Sequence, residues 1–193
     1  MTFRARPLCS TPFTKRGEKN MSKTRKICYA AIGAALYFVA SCSLKIPLFG
    51  HITVDCGYIV LMVMCMLSEE IGIMPAVVCG ALGCALESML MSPFGFSIGW
   101  FVMNIIVAAG VAWACKSSGN NVWAVMLAIP CCVFVGMMTK TGIECALYSI
   151  PIAVKMPKSL VAFAIDSVAM LIGYPIGGSI WTRFDNHPVV VNK

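Results

Sequence analysis

Charge is what this sequence has least of. Asp, Glu, Lys and Arg together make up 12% of its 193 residues, about half the ~25% usual in a soluble domain. Hydrophobic residues make up 59% and the mean hydropathy is +0.84. A chain this poor in charge cannot cover a water-facing surface, which places it among membrane proteins. Histidine is scarce as well, with two residues, and no HExxH occurs. The eleven cysteines include no CxxC pair, which excludes the paired spacings of zinc and disulfide frameworks. Cys28, Cys42, Cys65, Cys79, Cys84 and Cys145 fall singly in apolar runs, and Cys131 and Cys132 are adjacent; they read as small apolar side chains. No GxxxxGK[ST] occurs, so the chain has no loop of its own to cradle ATP phosphates. No metal and no cofactor are expected. The first twenty residues lack an apolar core and are no secretory signal peptide. They precede "MSKTRK", an ordinary cytoplasmic start, which makes Met21 the expected initiator and residues 1–22 a disordered cytoplasmic segment.

What the chain does have is apolar length. Six segments approach the ~20 residues that span a bilayer: about 27–47, 55–68, 71–91, 96–115, 122–150 and 158–181. The second is short and the fifth contains Pro130. Lipid offers no partner to free backbone polar groups, so the spans should be helices. The runs are apolar on every face, not at alternate residues, which excludes a barrel. The expected fold is an all-α bundle of six transmembrane helices over residues 23–182, with no linker inside it.

Topology follows from the basic residues. The net charge is +7, but eight of the fifteen Lys and Arg fall in the first 26 positions, with no basic stripe elsewhere to suit nucleic acid. With the N-terminus inside, the cytoplasmic segments carry eleven basic residues and the outer loops three, Lys45, Lys155 and Lys158. That bias puts both termini, including a tail over 183–193, in the cytoplasm.

Five polar residues from four helices then fall at one depth. At 1.5 Å per helical residue, Glu144 lies roughly 9 Å below the outer end, Lys140 roughly 15 Å, Asp166 and Asn104 roughly 12 Å, and Glu87 roughly 6 Å. Each has a plain structural reading. Lys140 and Glu144, four apart, can neutralise each other; Glu87 can snorkel; Asn104 can join helices. Asp166 has no partner on its own helix. Charges at such depth cost at least a few kcal/mol each and face a cavity or a partner. Their shared depth points to an outward-facing polar pocket, with Tyr148 near its mouth and "IPIAVKMPKS" (150–159) as a non-helical lid fixed by Pro151 and Pro157. Trp100, Phe94, Phe96 and Tyr148 are placed to stack on a ring, although interfaces enrich aromatics regardless.

The order of features resembles one family. Helix 1 carries small residues at four-residue spacing in "YAAIGAALYFVA", with Ala30/Ala34 and Ala31/Ala35. "KIPLFGHITVDCGYIVLM" follows, with an acidic residue, Asp55, before helix 2. "GIMPAVVCGALGCALESML" and "IGYPIGGSI" complete the pattern, which spans about residues 23–182. This is similar to the S component of an energy-coupling factor (ECF) vitamin transporter. The resemblance implies a subunit of the bacterial cytoplasmic membrane that captures a water-soluble vitamin from outside, and is itself no enzyme. A transmembrane coupling protein and two ATPase subunits would drive release. Small-residue faces let helices approach closely in lipid, so the alanines of helix 1 are candidates for docking the coupling protein or for packing within the bundle. The pocket candidates are Lys140, Glu144, Asp166, Asn104, Glu87, Tyr148, Trp100 and Asp55. Riboflavin, thiamine, folate, pantothenate, biotin and a queuosine precursor are not separated by these residues. An autonomous secondary transporter is the alternative, set against by the lack of an internal repeat. An intramembrane enzyme would need a histidine or an activated nucleophile in the core, and both histidines lie outside the spans.

Overall fold

A computed structural model describes residues 22–43, 46–49, 52–91 and 96–186, with backbone alone at 46–49, 52–54 and 181–186. The expectations for residues 1–21, for most of the C-terminal tail and for Phe94 lie outside these residues. The chain runs α1 (Lys23–Ser43), β1 (Ile46–Phe49), β2 (Ile52–Val54), α2 (Gly57–Met66), α3 (Ser68–Ile71), α4 (Ile73–Met91), α5 (Ile98–Ser118), α6 (Val122–Tyr148) and α7 (Ile152–Asn186). Five of these helices, α1, α4, α5, α6 and α7, are long and apolar enough to cross a membrane. Their outward faces are as apolar as their cores: Ile32, Leu36 and Val39 on α1, Leu82 and Leu86 on α4, Leu127 and Val135 on α6, and Val168 and Ile172 on α7 are all exposed. In water such surfaces would aggregate; in lipid they are at rest.

The sixth apolar segment differs from the other five. α2 is a ten-residue helix, continued after Leu67 by the single turn of α3. It packs against α1, α4, α5 and α7. Tyr58, Leu61, Met62 and Cys65 have no exposure at all. A helix enclosed by protein on every side need not match the thickness of lipid, which is how so short an element fits the centre. Its methionines fit over small residues of neighbouring helices, Met64 against Gly33 of α1, and Met62 and Met66 against Gly173 and Gly177 of α7. Unbranched thioether chains fill irregular gaps of this kind.

Two details depart from the expectation drawn from sequence. Ile46–Phe49 and Ile52–Val54 form a two-stranded antiparallel ribbon pairing Ile46 with Val54 and Pro47 with Thr53. Ile46, Ile52, Thr53 and Val54 favour extended backbone, and Pro47 is tolerated because both strands of a ribbon are edges. The expected lid over 150–159 is mostly helix. Ser149, in the left-handed conformation with φ 52°, ends α6, and α7 starts at Ile152. The Pro151 carbonyl accepts from the Val154 and Lys155 amides at 3.0 and 3.3 Å. Pro157 therefore sits in the second turn, where its missing N–H removes one helical bond and leaves the rest intact. α7 also runs on into the expected tail as far as Asn186.

At the end opposite the hairpin, one residue joins three elements through its side chain and its backbone carbonyl. Asn120, in the turn between α5 and α6 with φ 56°, donates through Nδ2 to the Met66 carbonyl at 3.3 Å and to Glu69 Oε2 at 3.0 Å. Its own carbonyl accepts from the Tyr174 hydroxyl of α7 at 3.1 Å. Left-handed backbone suits Asn and Gly and strains Ala. Asn120→Ala should therefore cost about 1–3 kcal/mol, read as a lower thermal midpoint in detergent, whereas Asn120→Gly should lose less by keeping the backbone relaxed.

Candidate functional site

The polar side chains gather at the hairpin end of the bundle, where α1, α4 and α6 finish and α2, α5 and α7 begin. Asp55, the residue before α2, organises one half. Its Oδ1 accepts from the Ser41 hydroxyl at 2.6 Å and the Gly57 amide at 2.8 Å, and its Oδ2 faces the Tyr37 hydroxyl at 3.3 Å. Asp55 is buried, and a buried carboxylate is held only when donors of this kind surround it. Tyr37 reaches this position because its ring lies on Gly83 of α4, where a Cβ would come within 2.5 Å of it. The Tyr37 ring also meets the Tyr58 ring edge-on, with centroids 6.4 Å apart.

The Tyr37 hydroxyl lies as close to Asn104 Oδ1, at 3.3 Å, as to Asp55. Asn104, fully buried on α5, donates in turn to the Trp100 carbonyl at 3.1 Å. Over the Trp100 ring stands Lys140 of α6, its Nζ 3.4 Å from the centroid. The guest here is an ammonium against an aromatic face, an attraction that grows when water is excluded. Lys140 is 4.0 Å from Glu144 Oε1, and Lys155 Nζ of α7 stands 2.7 Å from Glu144 Oε2, an ion pair outside hydrogen-bond geometry. Gly99 makes the approach of α5 to α6 possible, since a Cβ there would lie 3.2 Å from Glu144 Cγ and 3.3 Å from Lys140 Cγ. Thr141 donates to Ser159 at 2.7 Å and so clamps α6 to α7 one turn deeper. A continuous line of polar contacts thus runs from Ser41 to Lys155 across α1, α5, α6 and α7.

Asp166 and Ser167 are different. Both are buried on α7, and among the described residues Asp166 Oδ2 and Ser167 Oγ have no hydrogen-bond partner. Asp166 lies within electrostatic range of Asp55, Glu87 and Lys140. An acceptor left open in a buried polar cluster is an unused contact for a ligand that donates.

The structure brings Asp55, Asn104, Trp100, Lys140 and Glu144 into one network, with Asp166 and the half-buried Glu87 beside it. It leaves Tyr148 outside, exposed at the end of α6. Phe96 is exposed and packs on Phe101 at 5.4 Å. Sequence reading missed Tyr37, Ser41 and Lys155. Lys155 falls in the segment read as an outer loop, and its approach to Glu144 depends on the helical start at Ile152.

Residues 95–99 read GFSIG, the spacing of a nucleophile elbow. That motif requires a strand before its serine and a histidine within reach. Here Ser97 immediately precedes α5 from a loop, and no histidine lies among the described residues. Nor do these residues include a group of three or more His, Cys, Asp or Glu able to hold a metal ion.

The arrangement is a cluster of donors, acceptors and one aromatic face at one end of a bundle of apolar helices, groups that suit recognition of a polar ring-bearing molecule. Comparison with known families agrees: the model of the ECF-type riboflavin transporter, S component, matches residues 21–173. Comparison with individually curated proteins returns no match. The family match spans well over half of the chain, and with it the helices that build the polar cluster. The chain belongs to the S components of ECF-type riboflavin transporters, as the multi-pass membrane subunit that gives the transporter its vitamin substrate.

Proposed function

We propose that the cluster around Trp100 is the riboflavin site, open to the outside of a bacterial cytoplasmic membrane. The observation that carries this is the Lys140 ammonium over the Trp100 indole, with Asn104 bonded to the carbonyl of the same tryptophan and the open Asp166 Oδ2 within electrostatic range of Lys140. Riboflavin presents a flat tricyclic ring with carbonyl acceptors flanking an imide N–H, and a chain of hydroxyls. Trp100 suits the ring, Lys140 the carbonyls, and Asp166 the N–H or a hydroxyl. Glu144 anchors Lys140, Asp55 sets Tyr37 and Asn104, and Glu87 lies within electrostatic reach at the rim.

Orientation rests on charge. Lys23, Arg25, Lys26 and Lys116 lie at the end away from the site, which the positive-inside rule assigns to the cytoplasm together with both termini. α2 with α3 serves as the sixth span of a six-helix bundle, short because protein encloses it. ATP-driven release falls to two ATPase subunits acting through a transmembrane coupling protein. On α1, Ala30 and Ala34 are buried within the bundle, whereas Ala31 and Ala35 face outward between Ile32 and Leu36. The docking face is therefore Ala31 and Ala35, and the inner pair serves packing.

Losing one charge-assisted hydrogen bond costs ~1.5–3 kcal/mol, or about ten- to a hundredfold in affinity. Asp166→Asn and Lys140→Met should each weaken riboflavin binding by that order, measured by quenching of flavin fluorescence on monodisperse protein. Unchanged affinity in both would remove the site assignment. Ala31→Arg or Ala35→Arg should abolish uptake in cells expressing the whole transporter while affinity in detergent stays intact. Joint loss of affinity and uptake would place these alanines in packing instead.

A further inference from the structure

Lys140 has two claims on it. Its ammonium covers the Trp100 ring at 3.4 Å, and Glu144 stands at 4.0 Å, the loose limit of an ion pair. Glu144 has a much closer partner in Lys155, at 2.7 Å. Glu144 is 6% exposed, so its charge cannot be left to water. Removing the partner of a buried charge is strongly unfavourable. Were Lys140 the sole partner of Glu144, it could not turn to a neutral ligand without orphaning that carboxylate.

Lys155 removes this conflict. It comes from the first turns of α7, with its side chain 29% exposed, and its backbone carbonyl is tied to Ser159, which holds Thr141 of α6. The ammonium is thus delivered to Glu144 by a segment clamped in register with the Lys140 turn. Resting on the reading that Lys140 faces the ligand, we propose that Lys155 is a positioning residue for riboflavin binding. It serves as the counter-ion of Glu144 and so frees Lys140 to sit on Trp100 and to donate to the uncharged ring carbonyls. In the ligand-free protein Lys140 occupies the aromatic face; as the flavin ring arrives, Lys140 moves from the indole to the ligand while Glu144 stays neutralised.

The test compares Lys155→Met, Lys155→Arg and the double change Glu144→Gln with Lys155→Met, using riboflavin as the probe and Lys140→Met as reference. A background with Trp113, Trp123 and Trp181 changed to Phe leaves Trp100 as the reporter of emission. Lys155→Met should bind riboflavin about ten- to a hundredfold more weakly, as for one lost charge-assisted bond. Its ligand-free Trp100 emission should move to that of Lys140→Met, because Glu144 draws the ammonium off the ring. Lys155→Arg should keep both properties, and the double change should recover affinity relative to Lys155→Met alone. Wild-type affinity and emission in Lys155→Met overturn the proposal, as does a double variant no tighter than the single. If Lys155→Met does not yield folded protein, the double variant and Lys155→Arg still decide. Loss of binding in Lys140→Met with none in Lys155→Met defeats the counter-ion role and spares the site; no loss in Lys140→Met defeats the site itself.

Discussion

A charge taken out of water into a bilayer must find a counter-ion or hydrogen-bond donors there, and this requirement orders the hairpin end of the molecule. Asp55 is met by a hydroxyl, an amide and a phenol. Glu144 is met by Lys155, with Lys140 standing further off. Every one of these contacts crosses from one element to another, apart from those within a helix turn, so satisfying the charges and assembling the helices are the same event. Deeper in the bundle, register is set by close packing, as where Met62, Met64 and Met66 fit over glycines of α7 and α1. Polar contacts set which residues face one another at the hairpin end of the bundle.

The same requirement separates what holds the site from what is available to a ligand. Carboxylates whose lone pairs are already taken by protein donors, as at Asp55, can shape a pocket but have little left to offer. Asp166 Oδ2 and Ser167 Oγ, buried and open among the described residues, have capacity left. The indole of Trp100 is in between, covered by the Lys140 ammonium.

Membrane character was legible because it depends on composition, and five of the long helices because lipid demands continuous apolar length. Lys140, Glu144, Asn104 and Asp166 were legible as a set because depth along a helix is fixed by residue count. What the sequence hid were contacts that depend on rotation and on partners far along the chain. Tyr37 is one aromatic among many until Gly83 lets it cross to Asn104. Lys155 carries no mark distinguishing it from Lys158, and only the helical start at Ile152 directs it at Glu144. The prolines of 150–159 misled, because a breaker near a helix start breaks little. The two alanine pairs of α1 are plain in the sequence, yet which pair points outward is a matter of packing against α4.

The enclosed α2 has a consequence for how the protein is made. It is apolar but too short to lie stably across a membrane by itself, and its most extensive partner is α7, which begins more than eighty residues later in the chain. During synthesis at ~5–20 residues per second, α2 must wait several seconds for the surface that encloses it. The first half of the chain cannot reach its final arrangement before the last helix is inserted. A nascent chain cut off before α7 would expose the methionines of α2 to lipid and to the quality-control machinery, making the last helix the step that commits the molecule to its folded form.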